Sequence, residues 1–179
     1  AEKDVPDGIL AKCATVDEAV TVFRDYNLLT LNRVKFLMAD AGGLSVIVEW
    51  TREGVTVVDR GEADHQVSSN FVTSDYAPDQ APCARYRIAS ELVADPDWEP
   101  GVDGLRRILS ATHLEFQTPT VLSAICDLTR GSIQLYYFHD FENVKVFDLH
   151  EGLRPRRVEL RGRILRHCAE PHQEPHMLT

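Results

Sequence analysis

The feature that most constrains this chain is a pair of strand-sized segments near the C-terminus, residues 121–127 and 132–138, joined by a turn at 128–131. A third such segment covers residues 141–149. Side chains of the first segment alternate between the two faces of a pleated strand, with one set on one face (Leu122, Ala124, Cys126, Leu128) and the other set opposite (Ser123, Ile125, Asp127). The pattern predicts an antiparallel meander, half-buried on a core.

The N-terminal half contains a second meander. Residues 34–39, 44–50 and 55–58 alternate in the same way. Gly42 and Gly43 permit the backbone angles of a tight turn, and Asp40 is expected to form hydrogen bonds to its own turn. Glu49 is expected to be either exposed to solvent or paired.

Helices are predicted before and between the meanders. Thr15 and Glu18 have capping-box spacing ahead of an apolar stripe (Val16, Ala19, Val20, Phe23, Tyr26). Pro82 suits the first turn of a second helix, which stops at Asp95, and a third helix begins near Asp103. Strands and helices occur in runs, so the order predicts an α+β fold with antiparallel sheets.

Composition narrows the classes of partner. The 179 residues carry a net charge of −9, which is unfavourable for binding duplex nucleic acid. The chain has no uninterrupted apolar run of membrane-spanning length, and we expect no membrane association. Six arginines cluster within residues 154–166 and fit either a solvated terminal face or a grip on an anion or an acidic partner.

Cysteine and histidine spacing indicates neither a metal nor a cofactor. The four cysteines, Cys13, Cys83, Cys126 and Cys168, form no C-x-x-C pair, and we interpret them as buried thiols. The seven histidines lack helical pairing around an acid. Free thiols favour a reducing cytoplasm, although an exported protein is an open alternative.

Short motifs in a fixed order resemble one enzyme family (Cys13–Ala19, Met38–Gly43, Val46–Glu49, Ser69–Phe71, Ala84–Tyr86, Ser123–Asp127 and Leu135–Phe138). Together they are similar to the latter two thirds of the choloylglycine hydrolase and acyl-CoA:isopenicillin N acyltransferase group, which includes penicillin V acylases. These are N-terminal-nucleophile (Ntn) hydrolases, and the resemblance implies an αββα sandwich that is incomplete at its N-terminus.

The resemblance also implies a reaction. In the family an N-terminal cysteine attacks a linear amide, and its own α-amine, which titrates near neutrality, acts as the base. Ala1 is no nucleophile, and none of the four cysteines has a matching context. The resemblance therefore places the attacking cysteine outside this chain, unless the activity has been lost.

Two residues correspond to the family's site. Asn70 matches the asparagine that stabilises the tetrahedral oxyanion, and Arg85 matches an arginine near the nucleophile, where its charge favours thiolate. From the residues alone, the favoured interpretation of Asn70 is a strand-end or turn residue, and that of Arg85 is an ordinary helix-surface arginine. The resemblance makes the two interpretations of each residue about equal.

These observations lead to one working hypothesis. Residues 1–155 form an Ntn-hydrolase-like domain, and residues 156–179 form an Arg-rich tail. The domain is part of a linear amide hydrolase or acyltransferase that acts on a small acyl amide, without a cofactor. The alternative is a non-catalytic domain that binds an acyl ligand or a partner. With its first strands missing, such a sandwich would have an uncovered sheet edge, which predicts a homo-oligomer.

Overall fold

The fold is α+β, with two separate three-stranded antiparallel sheets and helices packed against each. A computed structural model describes residues 5–25, 34–51, 53–116 and 118–152. The predicted tail at 156–179 and Tyr26 lie outside these ranges. The helices are α1 (Val5–Lys12), α2 (Val16–Asp25), α3 (Ala84–Val93), α4 (Val102–Thr112) and α5 (Leu149–Gly152). The strands are β1 (Lys35–Ala39), β2 (Ser45–Thr51), β3 (Gly54–Asp59), β4 (Leu122–Asp127), β5 (Ser132–Tyr137) and β6 (Val144–Asp148).

The first sheet has the order β1-β2-β3 and packs against α1 and α2. Phe23 of α2 is 1% exposed and lies with Phe36 and Trp50 in an aromatic cluster, with ring centroids 5.1 to 5.8 Å apart. Strand β2 is buried on both faces, because Val46, Val48 and Trp50 face the helices while Ile47 and Glu49 are buried on the other side. This central strand therefore organises the N-terminal half.

Local sequence signals explain how α2 reaches this sheet. The predicted capping box is confirmed, since the Glu18 backbone N–H donates to Thr15 Oγ1 at 3.3 Å and the Thr15 N–H donates to the Glu18 carboxylate at 3.3 Å. Asp40 is confirmed as a turn former, because its side chain accepts from the N–H groups of Gly42 and Leu44. The same carboxylate accepts from the Val16 N–H at 3.0 Å, which ties the start of α2 to the β1–β2 turn.

The second sheet has the order β4-β5-β6 and has its own smaller core. Ile125, Tyr136 and Phe141 form this core, and Val102 and Leu109 of α4 pack against it. The predicted alternation is confirmed, and the buried face is the one that carries Ile125. Tyr136 belongs to this core and is 3% exposed.

Two expectations about the second sheet were wrong. Cys126 is exposed, because it lies on the face of β4 opposite Ile125, so it is no buried thiol. The third strand covers only Val144–Asp148, since Asp140 accepts hydrogen bonds from the Glu142 and Asn143 N–H groups and holds that stretch in a turn. Helix α1, which has no periodic apolar stripe in the sequence, was not predicted.

Candidate functional site

The candidate site is a cleft of about 840 Å³ at the first sheet, with Asn70 among its lining residues. One wall comes from β1 and β2, and the other from residues 68–72 (lining residues Val34, Lys35, Leu37, Glu49, Trp50, Ser68, Ser69, Asn70, Phe71, Val72). We call it the Asn70 cleft. Its volume is in the range of small-molecule pockets, and much of its lining is apolar.

Glu49 fixes the segment that carries Asn70. This carboxylate is 1% exposed, and it accepts hydrogen bonds from the backbone N–H of Thr73, the N–H of Ser74 at 3.0 Å and the Ser74 hydroxyl at 2.9 Å. Burial alone would raise the pKa of Glu49, but these hydrogen bonds outweigh it and hold the pKa below its ordinary value. Glu49 is thus ionised and holds residues 73–74 against β2 through these hydrogen bonds. Of the two states expected from the sequence, it is the paired one.

Lys35 adds a second attachment to the same segment. Its Nζ donates to the Phe71 carbonyl at 2.7 Å and to Thr73 Oγ1 at 2.9 Å, and it lies 4.8 Å from the Phe71 ring centroid. Nζ is also 3.8 Å from Glu49 Oε1. Burial lowers the pKa of Lys35, while the negative charges of Glu49 and Cys83 oppose that shift. The ammonium is therefore held among oxygen acceptors at one wall of the cleft.

Aromatic contacts join this segment to α3. The Phe71 ring meets Tyr86 edge-on at 5.0 Å and Tyr76 at 5.7 Å. Lys35 and Glu49 bind Phe71 and Thr73 from the sheet side. Asn70 precedes these residues and lies at the rim of the cleft. Asn70 itself is exposed, so its carboxamide is not enclosed in a packed interior.

Cys83 lies beside the cleft at the N-cap of α3, and its Sγ is 2.9 Å from Ser69 Oγ. Burial would raise the pKa of Cys83, but the Ser69 hydrogen bond and the backbone N–H groups at the start of the helix lower the pKa to about 7. Arg85 contributes to the same shift through its positive charge. The thiol is half-buried and partly ionised near neutral pH.

The two predicted site residues therefore occupy different places. Asn70 lines the cleft, and Arg85 lies in the first turn of α3, half-buried, with its charge acting on Cys83. Ser69 connects the two places, because it precedes Asn70 in the chain and its hydroxyl contacts Cys83, the thiol on which the charge of Arg85 acts. Sequence reasoning had not assigned a site role to Lys35, Glu49 or Cys83. A charged residue inside the apolar run of β2 and a cysteine directly before a helix were the available signals.

Comparison with known proteins adds no family to this description. No protein-family model matches the sequence, and the search of curated proteins gives no match. Among the helices of the described residues, none has the length and apolar character needed to cross a membrane.

We predict that Glu49→Gln lowers the free energy of unfolding at pH 7 by about 2 to 4 kcal/mol, because one amide oxygen cannot replace two carboxylate oxygens against these donors. The pKa of Glu49 is lower in the folded state, so its contribution is fully present above its ordinary value of 4.5 and is lost as pH falls through the folded-state value. Urea unfolding between pH 7 and pH 3 should show a steeper acid loss in the parent than in the variant. Glu53→Gln, in the exposed turn after β2, is the control. It should leave the free energy of unfolding at pH 7 and its loss between pH 7 and pH 3 the same as in the parent.

We also predict that Cys83 reacts with iodoacetamide along a titration with a midpoint near pH 7, because the thiolate is the nucleophile. The measurement uses a chain in which Cys13, Cys126 and Cys168 are serine. Ser69→Ala should move the midpoint upward, while Ser90→Ala, on the same helix, should not. A parent midpoint at the ordinary thiol value of 9.0 would contradict the assignment.

Proposed function

We propose that this chain is part of a linear amide C–N hydrolase or acyltransferase, in which Asn70 donates a hydrogen bond to the oxyanion of the tetrahedral intermediate. The attacking cysteine is supplied from outside this sequence, as the family resemblance implies. The observation that carries the proposal is the exposed position of Asn70 on an 840 Å³ cleft. An amide N–H at such a rim can stabilise a developing negative oxygen without transferring a proton.

The chemistry of the cleft supports a small acyl amide as substrate. Val34, Leu37 and Val72 offer apolar surface for an acyl chain, while Lys35 supplies a positive charge beside it. In the full αββα sandwich that we propose, the two described sheets would be completed by preceding strands. Arg85 then increases the reactivity of a nearby thiol by favouring thiolate, and the thiol beside it in this chain is Cys83.

A second candidate is a non-catalytic domain that binds an acyl ligand. The largely apolar lining of the Asn70 cleft favours it, because such a surface binds an acyl chain without any reaction. The two candidates differ in turnover. A binding domain would retain affinity for the N-acyl compound but release it unchanged. For either candidate we propose a reducing compartment, in keeping with the free thiols of Cys13, Cys83 and Cys126.

Asn70→Ala should reduce turnover of N-acyl amino acids or penicillin V about a hundredfold or more, with a much smaller change in KM, if Asn70 stabilises the oxyanion. The assay requires a protein that includes the coding sequence upstream of Ala1, where the proposal places the nucleophile. Asn143→Ala is the control, because Asn143 lies in the turn before β6, is bonded to Asp140 and does not line the cleft.

Three outcomes of this assay would count against parts of the proposal. An undiminished rate in Asn70→Ala removes the oxyanion assignment. Tight binding without turnover in the parent supports the binding domain instead. Complete loss of turnover in Cys83→Ser, with the fold intact by circular dichroism, would place the attacking thiol in this chain and overturn an external nucleophile.

We further propose that the isolated chain self-associates through a sheet edge. β6 is an edge strand of the second sheet, and its apolar Val144 and Val146 are 44% and 55% exposed. Multi-angle light scattering should show a dimer or larger species whose fraction falls in Val146→Lys. Thr21→Lys, at a solvent-exposed position of α2, is the control. A monomer at high protein concentration would refute self-association and leave the catalytic proposal untouched.

A further inference from the structure

A second cluster of functional side chains lies at the other sheet, outside the Asn70 cleft. One ligand atom from each of His113, Glu115 and His139 lies within 4.8 Å of the others. His113 directly follows α4, and His139 follows β5, so the cluster joins the end of a helix to the β5–β6 turn. The two residues are distant in sequence, which is why histidine spacing did not reveal the site.

The hydrogen bonds of His113 determine which of its nitrogens is free. Nδ1 lies 2.5 Å from the Ser110 carbonyl oxygen. A carbonyl oxygen can only accept, so Nδ1 carries a proton and donates it. In a neutral imidazole the other nitrogen, Nε2, is then an acceptor. Metal-binding histidines are typically oriented by such a bond from the second ring nitrogen to a backbone carbonyl.

The acceptors in the cluster face one another. His113 Nε2 lies 3.2 Å from Glu115 Oε1, which also accepts. His139 Nε2 is buried and has no hydrogen-bond partner among the residues that the structure describes. Unpaired buried nitrogen is costly, and two acceptors at this distance repel unless a cation lies between them. The arrangement calls for one positive charge, either a proton on His113 or a bound metal ion.

The surroundings hold both histidines in place. His139 has a φ of 68°, and the preceding Phe138 a φ of 45°, so the chain reverses through two left-handed residues. The ring of His139 thereby lies 4.4 Å from the ring of His113 and 4.8 Å from that of Phe138. The Leu114 N–H, between His113 and Glu115 in the chain, donates to Thr120 Oγ1 at 3.0 Å. This hydrogen bond holds the loop that carries Glu115. Positioned ligands reduce the conformational entropy lost on binding an ion.

We propose that His113, Glu115 and His139 form a binding site for a divalent transition-metal ion, with Zn²⁺ as the preferred occupant. Two imidazoles and one carboxylate are a known ligand set for zinc, with water completing the tetrahedron. At Zn–N distances of about 2.0 to 2.1 Å, tetrahedral ligand atoms lie about 3.4 Å apart. The 3.2 Å between His113 Nε2 and Glu115 Oε1 already fits this spacing, and the His139 nitrogen, which lies within 4.8 Å of the other two atoms, must approach them by at most about 1.4 Å. The side chain of Glu115 is 59% exposed and that of His113 is 19% exposed, so the fourth position opens toward solvent on the carboxylate side.

This site has a structural consequence that does not depend on the Asn70 cleft. Bound zinc would link the end of α4 to the β5–β6 turn beside the small core formed by Ile125, Tyr136 and Phe141, since the His113 ring lies 5.7 Å from the Phe141 ring. Because only the folded chain brings the three ligands together, the ion would stabilise the second sheet by mass action.

Isothermal titration of Zn²⁺ into the metal-free full chain tests the proposal. The parent carries His167, His172, His176 and Cys168 as alanine, which removes the histidine and cysteine ligands that follow residue 152. We expect one zinc per chain and a melting temperature that rises with zinc and falls on addition of EDTA. His139→Ala and His113→Ala should weaken binding at least about tenfold. His65→Ala and His150→Ala, outside the cluster, should leave the affinity unchanged.

Glu115→Gln guards against a variant that fails to fold, because this exposed side chain contributes little to packing and its loss should still weaken zinc binding about tenfold or more. Co²⁺ in place of zinc should give a tetrahedral visible spectrum without a thiolate charge-transfer band. Absence of binding, equal losses in His65→Ala, or a thiolate band would overturn the site. In the first case the cation in the cluster would be the proton of a His113–Glu115 ion pair. The zinc titration does not depend on amide hydrolysis. A failure of the zinc proposal can therefore be told apart from a failure of the hydrolase proposal.

Discussion

The buried carboxylate of Glu49 is the interaction on which the described site depends. It lies in the central strand of the first sheet, and the groups it binds belong to an irregular segment that has few backbone bonds of its own. Burying a charge is costly unless hydrogen bonds compensate it. Here the donors belong to a single 3₁₀ turn at Thr73–Asp75, so that one side chain attaches this turn to the sheet. Lys35 and Tyr86 then hold Phe71, the residue that directly follows Asn70.

Local chemistry explains why much of the fold could be predicted from the sequence. The capping box at Thr15, the Asp40 turn and the alternation in both meanders involve neighbours within a few residues, so their patterns are visible in the linear chain. Helix α1 was missed because its eight residues have no clear apolar stripe, and it gains stability from Ile9 packing on the first core. The exposure of Cys126 follows from the choice of which face of β4 meets α4, which alternation alone does not determine.

The site was predictable only in part. Asn70 was identified through a family resemblance, and its position on a cleft agrees with that assignment without testing it. The roles of Lys35, Glu49 and Cys83 depend on contacts between residues 14 to 38 positions apart, such as Glu49 with Thr73 and Lys35 with Thr73. Sequence order gives no such distances. The cluster around His139 was missed for the same reason, since it is assembled by a helix end and a strand turn.

The ionisation of Cys83 has a consequence for the chemistry of its surroundings. A thiolate is oxidised by peroxide far more readily than a thiol, first to a sulfenic acid. That product is bulkier and uncharged, so it would no longer attract the charge of Arg85, and it would press on the Ser69 hydroxyl 2.9 Å away. Oxidation of Cys83 would therefore place one added oxygen atom beside Ser69, the residue that precedes Asn70.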